Sequence, residues 1–216
     1  MMDTSSRSLQ SAAYWLDACE QLMQRDRILR KLIPLYEGET LHLQACPFRT
    51  LARVLIGQQA SLALARSLWS SLLQACNNTL QPTCILERTE NELHALGLSR
   101  RKTQYLQDAA QFFSHASRLD PAWWRALDDG AVVQQLCTIR GVGRRSADLF
   151  LIFHMGRPDI LAVEDTALLK AISTHYFSGE PVSRFEAREV AQAWAPWRTV
   201  ASWYLWRSAD AGAVEY

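Results

Sequence analysis

The sequence predicts an all-α fold. Apolar residues recur at three- and four-residue spacing through nearly the whole chain, and alternating apolar–polar runs between tight turns are scarce. The breaks between patterned stretches are short and carry Gly, Pro or Ser. Together these predict about nine or ten helices of ordinary length.

Each element has its own signal. From Ala12 to Leu32 the stripe is Leu16, Cys19, Leu22 and Met23, then Ile28, Leu29 and Leu32, with Pro34 just beyond as a stop. Phe48, Leu51, Leu55 and Ile56 make the next stripe, and Leu64, Leu68 and Leu72 another. Between them Gly57-Gln58-Gln59-Ala60-Ser61 is a joint, with Ser61 placed to cap the following helix. Leu96-Gly97-Leu98-Ser99 has the pattern of a helix-ending glycine followed by a new cap. Tyr105, Leu106, Ala109, Phe112 and Phe113 follow, then Leu149, Phe150, Ile152 and Phe153 up to Gly156-Arg157-Pro158. Pro196-Trp197 opens a last helix dense in aromatics: Trp203, Tyr204 and Trp206. A helix cannot point all three the same way, so at least one belongs to the core.

With 216 residues, the chain is long enough for one well-packed domain, and 49% hydrophobic and 21% charged residues are ordinary for a globular protein. Net charge is only +1, so any nucleic-acid surface must come from local basic clusters and backbone donors. The five cysteines form no C-x-x-C pair, and their odd number favours reduced thiols in a cytosolic protein. Met1 to Gln10 is polar and Ser-rich, without the apolar centre of a signal peptide, and no apolar run reaches the ~20 residues needed to cross a bilayer. A soluble, cytoplasmic protein is expected. The five histidines lack metal-ligand spacing, and there is no P-loop or dinucleotide fingerprint.

The most informative stretch is Ile139-Arg140-Gly141-Val142-Gly143-Arg144-Arg145-Ser146-Ala147. A helix through Val132, Val133 and Leu136 precedes it, and another starts near Ser146. Two glycines around one apolar residue permit a tight turn with positive φ and close backbone approach. Outward N–H groups and the positive end of the next helix then form an anion nest, with Arg144 and Arg145 beside it. The plain alternative is a helix–turn–helix joint. About twenty residues on, Glu164-Asp165 closes a short apolar run just before a helix. Read alone, Asp165 is an N-cap and Glu164 a solvated first-turn acid.

Hairpin and aspartate together resemble the helix-hairpin-helix DNA glycosylase superfamily, and the resemblance runs over nearly the whole chain. Phe48–Ser61 is similar to its early helix and loop, Leu96–Lys102 to a second helical joint, and Pro196–Trp206 to the last helix of the alkylpurine branch. Within the superfamily the chain is most similar to the 3-methyladenine DNA glycosylase II type, in a compact form without an N-terminal β domain. The resemblance implies two helical lobes with a cleft between them, 50–158 forming one and 1–49 plus 159–216 the other. It implies a catalytic Asp165 that stabilises positive charge on the sugar. Gly141, Val142, Gly143, Arg144, Arg145 and Ser146 would hold DNA, and Gln59 would be the wedge that fills the gap left by a flipped base.

Trp206, Leu149 and Arg145 fall on base-pocket positions. Bifunctional relatives place a nucleophilic lysine where Arg145 stands, and arginine cannot do that chemistry. Monofunctional base release, without strand cleavage, is therefore implied. Alkylpurine enzymes often have an aromatic at the Arg145 position, and one can lie at Leu149, so this chain departs from the pattern there. That leaves deaminated or oxidised bases open as substrates, and a non-catalytic DNA-binding protein as a further class. The carbonyls of Cys137, Ile139 and Val142 match positions that hold a monovalent cation, Na or K, in relatives. No cysteine follows Cys137, so no iron–sulfur cluster is expected. The expected partner is damaged double-stranded DNA, bound by a monomer with no membrane involvement.

Overall fold

The computed structural model describes residues 13–209, so the polar stretch 1–10 lies outside the described residues. Fourteen α-helices lie within them: α1 (Trp15–Arg25), α2 (Arg27–Leu32), α3 (Pro47–Gly57), α4 (Leu62–Ala75), α5 (Pro82–Leu86), α6 (Glu90–Ala95), α7 (Arg100–Phe113), α8 (Ala116–Leu119), α9 (Pro121–Arg125), α10 (Asp129–Leu136), α11 (Arg144–Phe153), α12 (Thr166–Tyr176), α13 (Arg184–Gln192) and α14 (Arg198–Ala209). A 3₁₀ turn, Ile33–Tyr36, follows α2 and contains Pro34. No strand occurs among the described residues, as the patterning predicts.

The helix count exceeds the nine or ten expected because capping residues split runs that periodicity joins. Five of the helices have only four to six residues. The Ala12–Leu32 stripe shows the cause. Asp26 adopts an extended backbone (φ −129°, ψ 120°), and its side chain accepts from the Ile28 and Leu29 amides, ending α1 and starting α2. Apolar spacing carries across such a break unchanged, so a period count cannot detect it.

Helix α11 is the centre of the molecule. Every residue from Ser146 to Phe153 is buried, which suits a helix enclosed by others rather than one with a solvent face. It packs on α3 and α10, and α3 packs in turn on α7. The helices α1, α2 and α12 pack on α14, whose residues Thr199–Trp206 are all buried. Two polar residues survive there because they satisfy backbone: Thr199 Oγ1 donates to the Arg157 carbonyl at 2.6 Å and Ser202 Oγ to the Arg198 carbonyl at 2.7 Å. Trp203 meets Trp15 edge-to-face with centroids 5.3 Å apart, and the Tyr204 hydroxyl lies 3.3 Å from both Trp15 Nε1 and Cys19 Sγ.

Asp26 also joins the chain's two ends. Its Oδ2 accepts from the Tyr176 hydroxyl at 2.8 Å and from Trp194 Nε1 at 3.0 Å, while Oδ1 takes the two amides of α2. Asp26→Ala removes the cap and leaves two buried donors without an acceptor. Such loss costs about 3–5 kcal/mol in total. A urea melt should show a stability loss of that size, whereas Asp26→Asn, which keeps one acceptor oxygen for the cap, should lose less.

One cysteine expectation is corrected. Cys76 and Cys84 form a disulfide, with Cα atoms 6.0 Å apart. Asn77 and Asn78 take positive φ (50° and 59°), which turns the chain after α4 into α5, a helix that packs on α7. An odd cysteine count does not forbid one local pair. Cys19, Cys46 and Cys137 remain free thiols. Among the described residues, no helix is long and apolar enough to cross a membrane.

Candidate active site

The hairpin between α10 and α11 takes the predicted form with one change. Gly141 has φ +85°, and a Cβ there would lie 2.3 Å from the Tyr105 ring of α7, so both the turn and the close approach require glycine. Gly143 is different: its backbone is extended (φ −108°, ψ −176°), and a Cβ would meet nothing within 4 Å. The second positive φ expected from the Gly-Val-Gly pattern is absent. Ile139 and Val142 bury their side chains and anchor the turn. Helix α11 starts at Arg144, two residues earlier than expected, with Gly143 at its N-cap and no side chain capping it.

Helices α1, α3, α5 and α8 also lack a side-chain cap, but only α11 lacks one beside the glycine turn and in the cleft. Ser61, Thr89, Ser99, Asp128, Asp165 and Ser183 all cap their helices with side-chain oxygens. The first amides of α11 have no such partner, which leaves the positive end of this helix open to an external acceptor. Arg144 reaches outward with 63% of its side chain exposed and is steadied by the buried Asp148 at 2.8 Å. Burial pushes the Asp148 carboxyl upward, and Arg144 opposes that shift. The Ser146 side chain is buried and its Oγ accepts from Gln58 Nε2 at 3.1 Å, so the hydroxyl fastens the hairpin. The same Gln58 nitrogen donates to the Gly141 carbonyl at 2.9 Å.

Asp165 is both a helix cap and the centre of a cleft. Its Oδ1 accepts the Leu168 amide at 2.9 Å and the Trp206 indole N–H at 3.0 Å. Its Oδ2 accepts Arg145 Nε at 2.7 Å and lies 2.6 Å from an Arg145 terminal nitrogen. The carboxylate is only 3% exposed, yet it lines a cleft of about 660 Å³. Five elements converge there: the end of α3, the start of α4, the N-terminus of α11, the N-terminus of α12 and Trp206 of α14. Gln59, Gly143, Arg144, Arg145, Ser146, Leu149, Asp165 and Trp206 all line it, so the fold gathers residues up to about 150 positions apart in the sequence. Gly141, Val142 and Cys137 are not among the lining residues.

Gln59 is exposed and held at φ +51°, unusual for a residue with a side chain. Its Oε1 accepts from the Arg101 guanidinium, which braces the loop from the N-terminus of α7. Next to it Lys102 Nζ donates to the Ile56 carbonyl at 2.6 Å. Burial and the adjacent Arg101 both lower the Lys102 pKa. Lys102 does not line the cleft.

Several cleft residues escaped sequence reasoning. Arg53, Arg66 and Trp69 line it, and the Arg49 and Arg53 guanidiniums lie 5.6 and 5.3 Å from the Trp69 ring centre. Helical spacing carried a signal: 49 and 53 share a face of α3, as 66 and 69 do of α4. Glu164, expected as a solvated acid, lines the cleft and pairs with Arg184 at 2.9 Å.

For a metal, the described residues contain no group of three or more His, Cys, Asp and Glu side chains able to hold one. The hairpin carbonyls are a different donor set. That of Ile139 accepts the Val142 amide at 3.0 Å, whereas those of Cys137 and Val142 accept no backbone hydrogen bond among the described residues. Neutral oxygen donors of this kind suit a weakly held monovalent cation better than a transition metal.

Residues 52–196 match the model of the HhH-GPD superfamily base excision DNA repair proteins. The chain belongs to that superfamily. The HhH-GPD relatives include DNA-3-methyladenine glycosylase 1 of Schizosaccharomyces pombe, 26% identical over 206 residues, which span 93% of this chain and 88% of the relative. The alkylbase DNA glycosidase-like protein mag2 of the same organism is 24% identical over 171 residues, covering 78% and 80% of the two chains. The HhH-GPD fold itself is matched by the structure of S. pombe 3-methyladenine DNA glycosylase (Mag1) in complex with abasic DNA. Its TM-score is 0.81 at 22% identity, over 89% of this chain and 96% of the other.

Proposed function

We propose that this protein is a monofunctional DNA glycosylase of base excision repair that hydrolyses the N-glycosidic bond of alkylated purines in duplex DNA. The observation that carries the reading is the Asp165 carboxylate, desolvated at a helix N-terminus and fixed by three donors at the base of a cleft beside the uncapped α11 hairpin. A scaffold needs the hairpin but not that carboxylate. The names of the relatives support the alkylated-base assignment.

Phosphate oxygens take the place of the missing cap on α11, with Arg144 beside them, and position the duplex without reading sequence. A cation on the Cys137, Ile139 and Val142 carbonyls would add positive charge at the same turn. The target nucleotide leaves the stack and Gln59, held by Arg101, fills the gap. The two helix groups act as lobes on either side of the flipped base. As the bond from C1′ to the base breaks, its electron pair leaves with the base and positive charge grows on the sugar. Asp165 opposes that charge at no reorganisation cost, because its donors already hold it. Water then bonds to C1′ and its proton passes to solvent or to the carboxylate.

Among the described residues no lysine lines the cleft, and by the resemblance Arg145 stands where bifunctional relatives carry their nucleophile. Incubation with methylated duplex should therefore yield abasic sites with intact strands, and borohydride should trap no protein–DNA adduct. A trapped adduct would overturn the monofunctional reading. The broader reading is tested by a panel of duplexes that each carry one damaged base, assayed for abasic-site formation.

A further inference from the structure

We propose that Arg101 fixes the polarity of the Gln59 amide, so that the wedge offers only hydrogen-bond donors to the orphaned base and favours lesions opposite cytosine, the damaged guanines. The inference deepens the glycosylase reading and rests on it, because that reading places Gln59 in the gap. Three observations point to it.

The first is the hold on the loop. Gln59 sits between α3 and α4 at φ +51°. Its neighbour Gln58 donates from Nε2 to the Gly141 carbonyl at 2.9 Å and to Ser146 Oγ at 3.1 Å. Lys102 Nζ donates to the Ile56 carbonyl at 2.6 Å, and Ser61 caps α4. The loop is thus tied to the hairpin, to α7 and to the helix that follows it. Gln58 is half-buried in these contacts, whereas Gln59 is exposed.

The second is the partner of the Gln59 side chain. A glutamine amide has an acceptor at one corner and two donors at the other, and it can turn about its last bond to present either. A guanidinium has donors only, so it decides between them. Arg101 donates to Gln59 Oε1. The acceptor is spent, and Nε2 donates to no group among the described residues.

The third is the bracing residue itself. Arg101 is exposed, and among the described residues it has no partner besides Gln59. Gln59 Nε2 and the Arg101 guanidinium therefore form one edge made only of donors. An orphaned cytosine meets such an edge with two adjacent acceptors, O2 and N3. An orphaned thymine places its N3–H between O2 and O4, so a donor faces a donor. A good pair of contacts to a base discriminates by a factor of about five or more. Cytosine pairs with guanine and thymine with adenine, so the preference falls on alkylated guanines over alkylated adenines.

The test reads the opposite base by binding alone. Two duplexes are identical except that one tetrahydrofuran abasic-site analogue lies opposite cytosine or opposite thymine. Wild-type protein should bind the cytosine duplex at least about fivefold more tightly. Arg101→Met frees the amide to meet either base and should bring the ratio close to unity. Any phosphate contact of Arg101 is lost equally from both duplexes and leaves the ratio unmoved. Gln59→Leu should also give a ratio near unity. Gln59→Glu keeps Arg101 as a partner but offers only acceptors, and should take the ratio to unity or below. All three changes fall on exposed side chains, and thermal melts verify that the variants are folded. A ratio near unity in wild type, a wild-type ratio kept in Arg101→Met or Gln59→Leu, or a ratio above unity in Gln59→Glu overturns the proposal. Failure of the glycosylase reading shows separately, as no base released from any damaged duplex in the panel above.

Discussion

Asp165→Asn should lower single-turnover base release by a factor of about 10² to 10⁴, while DNA affinity and thermal midpoint change little. The size follows from losing a preorganised charge at the developing sugar cation, an effect of that order in buried sites. The stability loss is held small because asparagine caps helices as well as aspartate does and keeps its one oxygen for the Leu168 amide and the Trp206 indole, while Arg145, which loses its Oδ2 acceptor, is 32% exposed and can turn to water. Asp165→Ala should be as inactive and also less stable. It removes the cap and strands the Trp206 N–H, at a cost of about 3 kcal/mol. The two variants together separate chemistry from architecture at a residue that serves both. An Asn variant within a few-fold of wild type would refute the mechanism.

Gly141→Ala should lower affinity for duplex DNA by at least about tenfold, for damaged and undamaged DNA alike, and should lower stability by about 2–4 kcal/mol. Two costs combine: a left-handed backbone (φ +85°) for a residue with a Cβ, and that Cβ 2.3 Å from the Tyr105 ring. Relief requires the hairpin to move, which disturbs the Gln58 bond to the Gly141 carbonyl and the row of α11 amides. Pairing the change with Tyr105→Ala should recover the steric part and leave the backbone part, so the double-mutant cycle divides them. Full duplex affinity and an unshifted melt in the single variant would count against a rigid hairpin. Gly143→Ala is the control: with extended backbone and open space, it should cost under about 1 kcal/mol.

Local chemistry accounts for what could be read without coordinates. The all-α class, the glycine joint at Gly97, the caps at Ser61 and Ser99 and the hairpin itself are legible because each rests on residues within one or two helical turns. Asp165 is legible as a cap by its own position, and it becomes a catalytic candidate only through the resemblance of hairpin and aspartate together to the superfamily. The helix count was not legible, because Asp26 breaks a stripe whose period continues across it. Nor was the Cys76–Cys84 bond, which depends on the two-asparagine turn that follows α4.

What the sequence determined by itself was therefore the fold class and its local joints: all-α, a Gly-Val-Gly hairpin and Asp165 entering a helix. Only the tertiary structure decided what each group faces. It turned Ser146 inward to Gln58 and Arg144 outward, set Arg145 and the Trp206 N–H on the same carboxylate, and placed two guanidiniums on Trp69. The reason is range. Capping and periodicity act over a few residues, whereas the charge balance of the cleft is a sum over side chains from five elements that meet only when the core around α11 is packed.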